Sequence, residues 1–210
     1  MDSVVIVGIS AVTGGGKTAV TLRLVDVLED AVALHFDDYD DTNVHPDNLQ
    51  RWFAAGADYD AYRTPVFTGH LELLKAGKSI TYPIGGAQLG PARYVVADAP
   101  LGRAHSDSGR LIDLMVFIDT PLDVALARRL LRDIDLPRGW SGDDAVLHAK
   151  EELTAYLAGA RPLFEAFQER MRATSDVTID GTLTVNDVAE KIRVETEARF
   201  PSRIVDGPSK

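Results

Sequence analysis

Residues 11–18 carry the most recognisable chemistry in this chain. They read Ala-Val-Thr-Gly-Gly-Gly-Lys-Thr, a phosphate-binding loop in the relaxed form A-x-x-x-x-G-K-T, with Ala11 where the strict pattern has glycine. Glycines let successive backbone N–H groups point inward and form a concave anion site at the start of a helix. We expect Lys17 to reach the β- and γ-phosphates of a nucleotide and the Thr18 hydroxyl to bind Mg²⁺. We expect the phosphates to be bound by the backbone N–H groups of Thr13, Gly14, Gly15 and Gly16. The alternative is a flexible glycine turn that happens to precede Lys-Thr.

Two acidic residues follow apolar runs at points where a strand would end. Asp98 follows residues 94–97 and is similar to the carboxylate that holds Mg²⁺ in nucleotide-binding sheets. Asp37 follows residues 31–36 and is the candidate general base, because transfer of a phosphoryl group to a hydroxyl needs a carboxylate that accepts or orients the proton. The alternatives are a carboxylate that caps the next turn for Asp98 and a solvated acidic loop over residues 37–41 for Asp37.

A basic cluster lies on a predicted helix of this otherwise acidic protein. Its members, with one arginine in the Gly/Pro-rich stretch beyond, are Arg128, Arg129, Arg132 and Arg138. Spacings of three and four residues bring the helical arginines to neighbouring positions. Such a cluster suits a lid that closes over a transferring phosphoryl group and excludes water. The alternative is a surface cluster paired with Asp133 and Asp135, since exposed pairs of this kind are common and weak.

Alternation of apolar runs with helical patterns predicts the scaffold for these groups. We expect an α/β fold, a P-loop three-layer sandwich with a central five-stranded parallel sheet flanked by helices, plus a small lid. A single domain is predicted over residues 1–200, with the lid around residues 128–144 and a loose tail over residues 201–210. The strands are predicted at residues 4–9, 31–36, 93–98, 111–119 and 176–180. Ligands of open parallel sheets bind at the carboxyl ends of the strands, so the loop, Asp37 and Asp98 should meet there.

The composition excludes several classes of protein. The 210 residues carry a net charge of −10, with 45% hydrophobic and 26% charged residues and no cysteine. An acidic surface argues against nucleic acid and anionic membranes as partners, and the lack of cysteine excludes disulfides and thiolate metal sites. We see no signal peptide and no apolar run of about 20 residues, so a cytoplasmic location is expected.

These motifs, in this order, resemble the uridine kinase-like branch of P-loop kinases, which includes nicotinamide riboside kinases and, more distantly, phosphoribulokinases. Residues 8–18 are similar to the family's G-I-S-G-x-T-x-S-G-K-T, and Phe-Asp-Asp-Tyr at 36–39 is similar to its Q-D-S-F-Y type of segment. Residues 95–99 stand where the family has an apolar run followed by Glu-Gly. The Arg-rich residues 127–133 and the helix 156–167 also match family patterns.

The resemblance implies a role for each candidate residue. It makes Asp37 the catalytic carboxylate and assigns the binding of sugar hydroxyls to Asp60, and it places Asp98 where the family has a Mg²⁺-associated glutamate. We therefore assign Mg²⁺ to Thr18, Asp98 and Asp37. The groups expected to neutralise the transferring phosphoryl or to contact phosphate and substrate are Lys17, Arg129, Arg132 and, at the lid tip, Arg138.

The function that follows is an ATP-dependent kinase, with Mg²⁺, that transfers the γ-phosphate to a hydroxyl of a nucleoside- or sugar-like metabolite. Residues 82–89 lack the Tyr-Asp and the downstream His with which uridine kinases hold the base, so the sequence does not identify the acceptor as uridine. The alternatives are a nucleotide-dependent switch or ATPase and a non-catalytic ATP-binding regulatory protein. Trp52, Phe53 and Tyr62 could line a homodimer interface, a substrate pocket or the core.

Overall fold

Seven strands form two sheets. They are β1 (Val5–Ser10), β2 (Ala31–Leu34), β3 (Ile80–Thr81), β4 (Gln88–Leu89), β5 (Tyr94–Asp98), β6 (Leu114–Asp119) and β7 (Val177–Asp180) in the residues that the structure describes, 3–135 and 141–201. The structure is a computed structural model. The larger sheet has the order β2–β5–β1–β6–β7 and is parallel throughout, while β3 and β4 form a separate antiparallel hairpin. The predicted five-stranded parallel sheet is confirmed.

Helices cover both faces of this sheet. In the described residues the α-helices are α1 (Lys17–Val27), α2 (Leu49–Ala54), α3 (Pro65–Lys75), α4 (Ser106–Gly109), α5 (Leu122–Asp135), α6 (Gly142–Ala155), α7 (Arg161–Thr174) and α8 (Val185–Arg199). Helices α1 and α8 pack together over the face that holds Val5, Val7 and Ile9. The opposite face, which includes Ile6, packs against α3 and α7. All of β1 and β5 is therefore buried, which explains why these strands are continuous apolar runs.

Two segments differ from the sequence prediction. Residues 37–41 lie in a 3₁₀ helix, Phe36–Thr42, rather than in an irregular loop. The helical sequence pattern over residues 145–171, in which Arg161-Pro162 favours a bend, is divided into α6 and α7 by a π turn, Tyr156–Ala160, in which Gly159 has a non-helical φ of 154°. A glycine tolerates this backbone conformation, and Pro162 then fits the first turn of α7, where no N–H donor is needed.

The predicted lid, residues 128–144, spans the end of α5 and the start of α6. Residues 136–140 within it lie outside the described residues, as does the predicted tail from residue 202 onward. The division into one domain over residues 1–200 with a lid thus stays a prediction. No helix of the described residues has both the length and the apolar character that crossing a bilayer requires.

Candidate active site

A cleft of about 1400 Å³ opens at the carboxyl ends of the parallel strands. Its lining includes residues 11–20, which contain the glycine loop and the first turn of α1. It also includes Asp37, which follows β2, and Asp98, the last residue of β5. The edge of the sheet thus brings together three groups that are far apart in sequence, as the parallel arrangement predicts.

The glycine loop leaves the start of α1 open to an anion. Gly16 precedes the helix with a φ of 97°, and no side chain caps the first turn. The backbone N–H groups at this end therefore have no side-chain acceptor and face the cleft with the positive end of the helix dipole. Lys17 extends its Nζ to the carbonyl oxygen of Ala11 at 3.2 Å, so its ammonium group already lies over the loop.

Close packing and one hydrogen bond fix the conformation of the glycine loop. Gly14 has a φ of +79°, and a Cβ at this position would overlap the carbonyl oxygen of Ala125 in α5. A Cβ at Gly15 would stand 2.7 Å from the methyl carbon of Ala11, so the alanine that replaces the usual glycine fits only because Gly15 has no side chain. The hydroxyl of Thr120, buried after β6, donates to the carbonyl oxygen of Gly15 at 3.1 Å.

Asp98 lies at the base of the cleft and is 2% exposed. The pKa of its carboxyl group is raised from 3.8 to about 6, mainly by burial; the charge of Lys17 opposes this shift and the charge of Asp37 adds to it. Its Oδ1 has no hydrogen-bond partner in the described part of the chain. A buried, unpartnered carboxylate oxygen beside a phosphate loop is a suitable ligand for Mg²⁺, directly or through water.

Protein carboxylates and imidazoles alone do not form a metal cage here. In residues 3–135 and 141–201 no group of three or more His, Cys, Asp or Glu side chains is arranged to hold a metal ion. Mg²⁺ usually keeps several waters and binds through one or two protein groups and the phosphates of its substrate. The residues present, Asp98 and the exposed hydroxyl of Thr18, fit that mode of binding.

Asp37 is exposed toward the cleft in the first turn of the 3₁₀ helix that follows β2. Within the described ranges its carboxylate has neither a hydrogen bond nor an ion pair, whereas Asp38 accepts a hydrogen bond from Tyr82 at 2.6 Å. The first carboxylate is thus free for a ligand while the second is engaged in the fold.

The arginine cluster is divided between the cleft and the helix packing. Arg128 and Arg132 line the cleft; Arg128 donates to the carbonyl oxygen of Gly181 at 2.9 Å, and Arg132 pairs with Asp133. Arg129 does not line the cleft, because its guanidinium pairs with Glu152 of α6 at 2.8 Å and lies over the ring of Phe164. The structure therefore brings Arg132 to the site and not Arg129. Arg138 lies outside the described residues.

Asp60 is the other predicted residue that the structure does not bring to the cleft. Its two carboxylate oxygens accept hydrogen bonds from the backbone N–H and the hydroxyl of Ser106, both at 2.6 Å. The hydrogen bonds from Ser106 lower the pKa of its carboxyl group. In this conformation Asp60 links the 3₁₀ turn Tyr59–Ala61 to α4, a tertiary contact that the sequence motif does not reveal.

Aromatic residues form a further part of the cleft lining. Trp52 makes edge-to-face contacts with Tyr59 and Tyr62, at centroid distances of 5.3 and 5.6 Å. The α7 residue Phe167 belongs to the same lining. Trp52, Phe53 and Tyr62 all line the cleft, and Trp52 and Tyr62 also pack against the hydrophobic core. Their clustering within residues 52–62 is the signal that points to this aromatic lining.

Curated relatives of similar length match most of the chain. A uridine kinase from Brevibacillus brevis is 30% identical over 194 residues, which cover 85% of this chain and 86% of the relative. A uridine kinase from Halobacterium salinarum is 27% identical over 209 residues, which cover 90% and 87%. No protein-family model matches the sequence.

A solved structure supports the fold. The crystal structure of a protein described as a fructose transport system kinase, from Silicibacter sp. TM1040, aligns with a TM-score of 0.56 at 20% identity. The alignment covers 85% of this chain and 91% of that one. At this level of identity the likeness concerns the α/β fold alone.

Gly14→Ala should weaken nucleotide binding by roughly ten-fold or more, because an alanine at positive φ, in contact with α5, must displace the loop. Isothermal titration with ATP and Mg²⁺ measures the effect. Gly69→Ala in α3 is the control, since that position has open space and the substitution should stabilise the helix by about 0.5–1 kcal/mol. Unchanged affinity in Gly14→Ala would show that the loop does not need this close contact.

Asp98→Asn should make the ligand-free protein more stable near neutral pH. The pKa of Asp98 is raised in the folded state, so its ionisation destabilises the fold as pH rises from about 4 to about 6, by about 3 kcal/mol in full. Urea denaturation of the wild type and the variant between pH 4 and pH 7 should show a gap in the free energy of unfolding that widens over this range.

Asp180→Asn is the matched control for that experiment. Hydrogen bonds from Thr182 lower the pKa of Asp180, so this group titrates below the tested range and its substitution should give no widening gap. A difference between Asp98→Asn and the wild type that stays constant from pH 4 to pH 7 would contradict the assignment for Asp98.

Proposed function

The chain belongs to the uridine kinase family, and from this premise we propose that its cleft transfers the γ-phosphate of ATP to a small alcohol with Asp37 as the general base. The protein is an ATP-dependent small-molecule kinase. The observation that carries the assignment of the base is the unpartnered carboxylate of Asp37, which faces the same cleft as the glycine loop.

Asp37 would accept the proton of the acceptor hydroxyl as that oxygen attacks the γ-phosphorus. The new oxygen–phosphorus bond forms while the bond to the bridging oxygen breaks, and ADP leaves. An exposed carboxylate without a competing partner can approach a hydroxyl without first breaking a bond in the fold. Most of the acceleration in such reactions comes from positioning and electrostatics rather than from covalent chemistry.

Cations around the loop would neutralise the phosphates. Lys17 needs only to exchange the carbonyl oxygen of Ala11 for a phosphate oxygen, and the uncapped backbone N–H groups at the start of α1 would bind phosphate beside it. Arg132 lines the cleft and can reach a phosphoryl group from the lid side. Arg129 would contribute only after release from Glu152, and the proposed role of Arg138 rests on its position in the sequence.

Thr18 and Asp98 would hold Mg²⁺ together with the phosphates, and Asp37 lies close enough for its charge to affect Asp98. When bound there, the ion supplies positive charge that offsets the charge of the phosphates. It would also relieve the cost of the buried carboxylate of Asp98, because an unpartnered negative charge at low dielectric is unfavourable.

The acceptor side of the cleft suits a molecule that combines an apolar face with hydroxyls. The wall of Trp52, Tyr59 and Tyr62 can pack against a ring, and Asp37 lines the same cleft as that wall and the loop. We propose a nucleoside- or sugar-like alcohol, without assigning uridine. Asp60 would bind its hydroxyls only after giving up both hydrogen bonds from Ser106. A cytoplasmic location, a homodimer and the absence of nucleic-acid and membrane partners stay predictions.

Asp37→Asn should lower kcat by about 10²–10⁴-fold, because an amide cannot accept the hydroxyl proton, while the Kd for ATP changes little. Coupled ADP-release kinetics and calorimetry measure the two quantities. Asp41→Asn is the matched control, since Asp41 is exposed in the same 3₁₀ helix but does not line the cleft. Wild-type turnover in Asp37→Asn would remove this residue from the role of base.

A thermal-shift screen should identify the acceptor class. Nucleosides, including uridine, and simple sugars are added to the protein with Mg²⁺ and a non-hydrolysable ATP analogue, and a true acceptor should raise Tm beyond the analogue alone by mass action. Active acceptors should also stimulate ADP release from ATP. If no alcohol does either, a nucleotide-dependent switch would replace the kinase.

A further inference from the structure

The turn that carries Asp37 is closed by a tyrosine from a distant part of the chain. Tyr82 follows β3, and its hydroxyl lies between the two residues that flank Phe36 and Asp37. It accepts the backbone N–H of His35 at 3.3 Å and donates to the Oδ2 of Asp38 at 2.6 Å. The backbone N–H of Asp38 also donates to the carbonyl oxygen of His35 at 3.2 Å, so one hydroxyl spans both ends of this turn.

Tyr82 is itself fixed in place. Its backbone N–H donates to the carbonyl oxygen of Ala87 at 2.8 Å, which closes the β3–β4 hairpin. Its ring is half-buried and meets Tyr39 edge to face at 6.3 Å. Burial and the hydrogen bond to Asp38 raise the pKa of Tyr82 to about 12, so the hydroxyl stays protonated and remains a donor at neutral pH. A hydrogen bond to a carboxylate is among the stronger kinds in proteins.

The β3–β4 hairpin lies outside the lining of the cleft. None of the described residues from 78 to 92 lines the cleft, so Tyr82 reaches the Asp37 turn from outside it. Asp37 has no side-chain partner of its own in the described ranges, and its direction is therefore set by the backbone of the turn. A group that fixes both ends of that turn fixes where the carboxylate points.

We infer that Tyr82 is a positioning residue: its hydroxyl closes the His35–Asp38 turn and thereby aims Asp37 into the cleft. This inference rests on the role proposed above for Asp37. It gives the β3–β4 hairpin a function in catalysis that requires no contact with the acceptor. A displacement of a reacting group by about 1 Å can cost up to about 10²-fold in rate, so a small loss of order in the turn is enough to matter.

Tyr82→Phe removes the hydroxyl and keeps the ring. We expect kcat for transfer from MgATP to fall by about ten-fold with the KM for ATP within about two-fold, because the glycine loop is not touched. Uridine and ribose serve as acceptor probes. Amide hydrogen exchange should become faster over residues 36–42 and stay unchanged over residues 13–18.

Tyr94→Phe is the matched control. Tyr94 lies at the amino end of β5, and its hydroxyl donates to the carbonyl oxygen of Phe200 at 3.3 Å, so this variant loses one tyrosine hydrogen bond far from the cleft. It should keep wild-type kcat and exchange over residues 36–42. Equal losses of kcat in the two variants would show that Tyr82→Phe acts through a general loss of stability. That result would overturn the inference.

A double-mutant cycle tests whether the hydroxyl acts through Asp38. Asp38→Ala combined with Tyr82→Phe should lose little more kcat than the worse single variant, because both remove the same link. Additive losses, or unchanged exchange over residues 36–42 in Tyr82→Phe, would overturn the inference. The proposed function fails by a different result: no transfer to any alcohol by the wild type, or full activity in Asp37→Asn.

Discussion

The register of the parallel sheet is the constraint on which the site depends. β5 pairs on one side with β1, Ile9 opposite Asp98, and on the other with β2, Leu34 opposite Ala97. The chain therefore leaves three neighbouring strands at one level, and the glycine loop, the Asp37 turn and Asp98 emerge side by side. A shift of one residue would turn Asp98 to the other face of the sheet. The burial of both faces by helices makes such a shift costly, so the apolar core indirectly fixes the position of the polar groups.

The residues of this site are not arranged for stability. Asp98 is a buried carboxylate with an unpartnered oxygen, and Gly14 and Gly16 hold backbone conformations that other residues adopt only with strain. Each feature creates a binding position for an ion: the loop for an anion and the carboxylate of Asp98 for a cation. The surrounding contacts, such as the bond from Thr120 to the loop and the packing of Ala125 under Gly14, hold these conformations in place. The ligand is thus expected to complete the electrostatics of the fold.

The groups around the cleft differ in how firmly they are held. The loop and Asp98 belong to the sheet edge, whereas Arg129 is tied to Glu152 and Phe164 in the packing of α5, α6 and α7. The π turn at residues 156–160 separates α6 from α7, so these two helices do not form one continuous α-helix. The hairpin, which carries no part of the cleft, joins the site through Tyr82. An anion site built into the strand ends, with its neighbouring groups held by separate contacts, suits a kinase that must bind a common donor and select its own acceptor.

The sequence by itself determined the parallel α/β fold, the loop at residues 11–18 and the placing of Asp37 and Asp98 at strand ends. These follow from local patterns: apolar β-branched runs, the glycine-rich motif that precedes Lys-Thr, and the polar residue that ends each run. Only the tertiary structure decided which arginine faces the cleft, that Asp60 is bound to Ser106, and that Tyr82 closes the turn of Asp37. Those contacts join residues 23 to 46 positions apart, and their energies depend on packing and competing partners that no local pattern encodes. Periodicity fixes an element and its buried face, whereas the direction of a long polar side chain is fixed by its neighbours in space.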